Sequence, residues 1–143
     1  FYHTFVSKSL SISSFPTHSE KANMFDFIKK KLEKKALKKT FQEYGFEIKS
    51  FDIEGYGRVA YAQWLHPFEM PRNFTASSVN FYKALARPGH FIIDIGAHTG
   101  DTTLPMALAV GKDGLVIGLE PNQYVYKILE KNASLNTELT NIV

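Results

Sequence analysis

Apolar positions change their period along the chain, and each change marks a different kind of element. From Met24 to Tyr44, Met24, Phe25, Ile28, Leu32, Leu37, Phe41 and Tyr44 recur at helical spacing. Lys29, Lys30, Lys34, Lys35, Lys38 and Lys39 fill much of the remaining surface. The spacing predicts an amphipathic helix that Gly45 ends with a left-handed cap. Residues 46–53 (FEIKSFDI) and 57–64 (GRVAYAQW) are β-type runs separated by Glu54-Gly55-Tyr56, which reads as a hairpin turning on Gly55 or Gly57. Pro67 and Pro71 break regular structure. Ser77 or Ser78 then caps a short helix through Phe81, Tyr82 and Leu85, which Pro88-Gly89 ends.

Past Gly89 the pattern becomes that of an α/β sheet. FIID (91–94) is a continuous apolar run, as expected for a strand buried on both faces. A glycine-containing turn leads to a helix over residues 100–110, the GKDG turn (111–114) and a second strand, LVIGLE (115–120). Pro121 opens a helix that sets Tyr124, Val125, Ile128 and Leu129 on one face. Asn141-Ile142-Val143 begins a third strand. The alternation predicts a doubly wound α/β sheet with right-handed crossovers and a central first strand.

Composition narrows the possibilities. The 143 residues are 44% apolar and 14% aromatic, a globular content. The absence of cysteine excludes disulfides, thiolate metal sites and a cysteine nucleophile. No apolar run is long enough to span a bilayer, and a cytoplasmic location is expected. The formal charge of +3 comes from residues 21–44, where eight lysines face Asp26, Glu33 and Glu43. The remainder is slightly acidic, so nucleic acid is not expected as a partner. Peripheral contact with an anionic membrane through residues 24–44 is the alternative, as is RNA tethering by the same helix. The preferred reading of that helix is an apolar stripe packed on its own domain.

The chemistry is expected in Asp94-Ile95-Gly96-Ala97-His98-Thr99-Gly100-Asp101-Thr102 and in Leu119-Glu120-Pro121-Asn122. Ligands of open α/β sheets sit outside the carboxyl ends of the strands, where Asp94 and Glu120 both fall. A dinucleotide fingerprint fails because His98 occupies the middle-glycine position. A triphosphate loop fails on spacing, and Asp101 would repel phosphate. S-adenosylmethionine fits better. Its ammonium can pair with Asp94, its carboxylate can meet amides near residues 99–102, and Glu120 can take both ribose hydroxyls. Other readings stand beside these. Asp94 and Asp101 can cap the helix, Glu120 can be a solvated loop acid, and Tyr124 can stack on adenine or pack in the core. His98 can touch the cofactor, stabilise the loop or act as a base. Asn132-Ala133-Ser134 and Asn73-Phe74-Thr75 match the glycosylation pattern, and we read both as chance. His3, His18, His66 and His90 lack metal-ligand spacing, so no metal site is expected.

These residues resemble the opening of the FkbM family of S-adenosylmethionine-dependent methyltransferases. The likeness rests on Asp94, Gly96, Ala97, Gly100, Glu120, Pro121 and Asn122, and on the Asn132, Leu135 and Asn136 stretch. His98 departs from the asparagine that many members carry there. The resemblance implies an incomplete Rossmann-like class I methyltransferase sheet, preceded by an amphipathic helix and a β-hairpin. It implies cofactor binding by Asp94, Gly96, Ala97, His98, Gly100, Asp101, Glu120, Pro121 and Asn122. It also implies methyl transfer to a hydroxyl of a sugar, lipid or small metabolite, with no catalytic residue assigned. On this reading residues 1–23 are a disordered or non-native leader, 24–90 the helix and hairpin region, and 91–143 a truncated methyltransferase domain. Alone, such a chain is expected to be marginally stable and inactive.

Overall fold

The computed structural model describes residues 18–37 and 43–143. Its packing divides into Phe1–Phe41 and Gln42–Val143. The first unit contributes one described helix, α1 (His18–Leu37). α1 begins within the leader expected to be irregular; residues 1–17 of that leader, and Lys38, Lys39 and Phe41 of the expected helix, lie outside the described residues. The predicted stop at Gly45 is not a helix cap. The Gly45 carbonyl instead accepts the Leu65 N–H at 2.9 Å, extending the hairpin ladder.

The second unit is mixed α/β. Strands β1 (Phe46–Ile53) and β2 (Gly57–Trp64) pair antiparallel, from Phe46 opposite Trp64 to Ile53 opposite Gly57. Both Gly55 and Gly57 take positive φ in the connecting turn, a conformation open to glycine at no steric cost. Helix α2 (Ala76–Lys83) is capped by Thr75 rather than by Ser77 or Ser78. Ser78 lies inside the first turn, where its Oγ accepts the Thr75 N–H at 3.4 Å.

Strands β3 (Phe91–Ile95) and β4 (Leu115–Leu119) are parallel, joined through α3 (Thr103–Val110). Ile142 bridges Val116 in parallel, so among the described residues β4, not β3, has neighbours on both sides. Helix α4 (Gln123–Ala133) follows β4. It is capped by Asn122, whose side chain accepts the Tyr124 N–H at 3.0 Å, so Pro121 stands outside the helix it was expected to open. Val125, Ile128 and Leu129 are buried as predicted.

The expectation that β3 is buried on both faces is corrected. Asp94 is buried, but Phe91, Ile93 and Ile95 are 57%, 52% and 83% exposed. The reason is directional. Successive right-handed crossovers running one way along a sheet put their helices on the same face. α3 packs on the face of Ile92 and Val116, and Leu129 of α4 lies beside Gly118 on that face too.

α3 (TLPMALAV) is apolar around its whole circumference, the mark of a helix covered on all sides. Ala107 and Val110 pack on Val116 of the sheet. Leu104, Leu108 and Ala109 pack in a second cluster with Ile53, Val59 and Tyr61 of the hairpin and Phe74 and Val79 around α2. Through this shared core the hairpin and the parallel strands form one compact unit, and the expected division at residue 90 falls inside it.

Candidate functional site

The strand ends and the turn after β3 come together as the sequence predicts, but each acid is already engaged. Asp94, next to last in β3, is 8% exposed, and its Oδ2 accepts the hydroxyls of Thr103 at 2.7 Å and Thr102 at 2.9 Å. It thereby ties the start of α3 to the end of β3. Glu120 is half-buried past the end of β4. Its Oε2 accepts the His98 N–H at 3.0 Å and its Oε1 the Asn122 N–H at 2.8 Å. The carboxylate therefore joins the turn after β3 to the cap of α4. A carboxylate offers about four lone-pair sites, so each oxygen retains one for a ligand.

The turn is built on left-handed residues. Gly96 has φ 81° and Gly100 φ 88°, with His98 between them at φ 49°. The left-handed region is uncommon for residues other than glycine, and asparagine and histidine enter it more readily than most. Around Gly96, nothing lies within 4 Å of where a β-carbon would stand, so its backbone is open to a close-approaching ligand. Gly100 is different. A β-carbon there would meet Leu129 Cδ1 at 3.1 Å, so this glycine serves the packing of α4 against the turn. Ala97 is fully buried, and the Gly96 and Ala97 N–H groups both donate to the Leu119 carbonyl, at 2.9 and 3.0 Å. The Gly100 N–H is spent on the Ala97 carbonyl at 2.8 Å and drops out of the amides expected to meet a carboxylate.

Asp101 faces elsewhere. Its Oδ2 pairs with Arg72 Nη1 at 2.9 Å, while Arg72 Nε and Nη2 bind Glu69 Oε1 at 3.0 and 2.6 Å. Arg72 and Asp101 line a cleft of about 310 Å³ with Phe74, Ser78, Tyr82 and Pro105. Pro121 and Asn122 are exposed, and Asn122 acts as the α4 cap. Tyr124 is half-buried beside that cap. Among the described residues no group of three or more histidine and acidic side chains could hold a metal ion.

Tyr61, which the sequence reading passed over, and Asn132, which it placed in the family likeness, prove structural to the site. The Tyr61 hydroxyl lies 2.6 Å from Thr99 Oγ1 in the turn. Burial, first among its causes, pushes the Tyr61 pKa from 10.0 up to about 12. Asn132 is buried and bonds the Ala62 N–H, the Ala62 carbonyl and the Thr99 carbonyl. Burial removes it as a glycosylation acceptor in the folded chain.

A group of rings stands beside the turn. Trp64 lies 4.5 Å from His66 and 5.8 Å from His98 by ring centroids. Tyr44 stands edge-on to His66 at 4.7 Å and to Trp64 at 6.2 Å. No motif announced this group, because a tryptophan at a strand end and a histidine after it carry no periodic signal.

Compared with models of known families and with curated proteins, the chain matches none. Among the described residues no helix is long and apolar enough to cross a membrane.

Proposed function

We propose that this chain carries the cofactor-binding part of an S-adenosylmethionine-dependent methyltransferase of the FkbM kind, with a Rossmann-like sheet, acting on a hydroxyl acceptor. The observation that carries the reading is the bond from the His98 N–H to Glu120, which ties together the ends of two adjacent parallel strands, each carrying an acid, beside the open backbone of Gly96. Open space over Gly96 and the remaining lone pairs on Glu120 suit a ribose with two hydroxyls. Asp94 gives only Oδ2 to the threonine hydroxyls, which leaves Oδ1 for an ammonium group. When bound, the cofactor supplies an electrophilic methyl group on a sulfonium. The chain's own part is to hold the two strand ends in register and present a fixed negative charge at each.

Calorimetric titration of the full-length protein with S-adenosylmethionine tests this. Saturable binding is expected, and Glu120→Ala should weaken it about ten- to hundredfold, since hydrogen bonds to a charged group contribute about 1.5–3 kcal/mol. Absence of binding, or unchanged binding in the variant, overturns the proposal.

A further inference from the structure

Beside the proposed cofactor crevice, Tyr44, Trp64, His66 and Phe68 form a run of ring contacts, and Trp64 alone of them reaches the ring of His98. Trp64 ends β2, His66 and Phe68 follow it, and Tyr44 comes from the segment before β1. The group meets the crevice in one residue. The His98 backbone N–H is bonded to Glu120, while its ring stands at 72° to the Trp64 ring.

The polar edges of this group are hydrogen-bond donors. The Phe68 N–H donates to His66 Nδ1 at 3.2 Å. With Nδ1 accepting, neutral His66 carries its hydrogen on Nε2 and presents that N–H outward. Burial, the larger cause, together with His98 holds the His66 pKa below its ordinary value, against the opposing pull of Glu69. The neutral, donating form is therefore favoured. The same bond argues against His66 as a proton acceptor, because a base at Nε2 would need a hydrogen on Nδ1 facing the Phe68 amide. The indole Nε1–H of Trp64 is buried and has no acceptor among the described residues. Glu69, whose charge acts on His66, is paired with Arg72. Aromatic rings with a neutral N–H donor beside them suit a ligand with apolar C–H faces and many hydroxyl oxygens.

We propose that Tyr44, Trp64 and His66 form an acceptor subsite for a carbohydrate ring, with the ring's C–H face on Trp64 and a hydroxyl oxygen accepting from His66 Nε2–H. This rests on the methyltransferase reading for its purpose, because the subsite would set a sugar hydroxyl beside the turn that holds the cofactor. His66 is a positioning residue in it, and the attacking oxygen is a different hydroxyl of the same ring.

Trp64 is the only tryptophan in these 143 residues, and the part of the emission lost in Trp64→Phe reports on this place. The full-length protein, saturated with S-adenosylhomocysteine, is titrated with methyl glucopyranoside and, separately, with phenol. The glycoside should shift the emission saturably. In His66→Ala its dissociation constant should rise about tenfold, the loss expected for one hydrogen bond. His66→Gln keeps an N–H at similar reach and should recover part of that loss. Calorimetric affinity for S-adenosylhomocysteine should be the same in all three proteins. No saturable response to the glycoside, a response to phenol alone, or equal glycoside affinity in the three proteins overturns the subsite. If S-adenosylhomocysteine fails to bind while the glycoside still shifts the emission, the subsite stands and the methyltransferase reading falls.

Discussion

Asn132 on α4 binds both backbone groups of Ala62 on β2: its Oδ1 accepts the Ala62 N–H at 2.6 Å, and its Nδ2 donates to the Ala62 carbonyl at 3.1 Å. Asn136 repeats the arrangement two residues back along β2, with the N–H and carbonyl of Ala60 both at 2.8 Å. Two side-chain amides thus stand where a further strand would pair, and they close the open edge of the hairpin. The same Asn132 amide donates to the Thr99 carbonyl at 2.7 Å, so the hairpin edge and the glycine turn share one anchor.

Removing that anchor leaves three buried backbone groups without partners. Asn132→Ala should therefore cost about 3 kcal/mol or more, since each buried group left unsatisfied costs about 1–3 kcal/mol. Asn136→Ala, at a part-buried site, should cost about 1 kcal/mol. Urea unfolding of the two variants checks the order, and equal losses would refute it.

The hairpin's other tie to the turn gives a prediction at high pH. The Tyr61 pKa is raised from 10.0 to about 12 in the folded chain, so between these values the unfolded state loses its proton and the folded state keeps it. Stability should therefore fall as pH rises from 10 towards 12, by an amount on the order of 3 kcal/mol at the upper end. Thermal melts across that range should show a steeper decline for the parent than for Tyr61→Phe. Parallel declines would contradict the assignment.

Gly96 and Gly100 look alike in sequence and differ in the fold. Both need positive φ, so alanine at either place carries a backbone cost of about 1–2 kcal/mol. Only at Gly100 does the new methyl also press on Leu129. Gly100→Ala should thus lower the melting temperature more than Gly96→Ala. If the crevice binds a ligand closely over Gly96, that variant should lose affinity for S-adenosylmethionine while remaining folded. Calorimetry and melts on both proteins separate the two effects.

The pattern of apolar residues predicted the elements of residues 46–133 because helix and strand periods are local properties, and FEIKSFDI and GRVAYAQW became the two matched strands of one hairpin. It misplaced their ends where a partner distant in sequence intervened. Tyr44 continues the helical spacing, yet its ring is taken by Trp64 and His66. Asp94 and Glu120 could be placed at strand ends from the runs before them. That Thr102 and Thr103 would claim one oxygen of Asp94, and Arg72 would claim Asp101, depends on how the turn folds back and on a loop before α2. The tie from Asn132 to Ala62 joins segments far apart in sequence, and spacing says nothing of it.

Asp94 combines an observed structural role with a proposed binding role, and a single substitution can part them. Its Oδ2 organises the start of α3 through two threonine hydroxyls, a task a neutral amide oxygen can also perform. Its charge, by contrast, adds modestly to those bonds and on the proposed reading matters most to a cationic ligand in the crevice. Asp94→Asn should therefore remain within about 1–2 kcal/mol of the parent in stability, the cost of exchanging charge-assisted hydrogen bonds for neutral ones. It should nevertheless bind S-adenosylmethionine about tenfold or more weakly, because the ammonium loses its counter-charge. Asp94→Ala removes both roles and should show both losses together. Melts and calorimetry on the pair decide the matter. An Asp94→Asn protein that is destabilised but binds as tightly as the parent would confine Asp94 to its structural role at the start of α3.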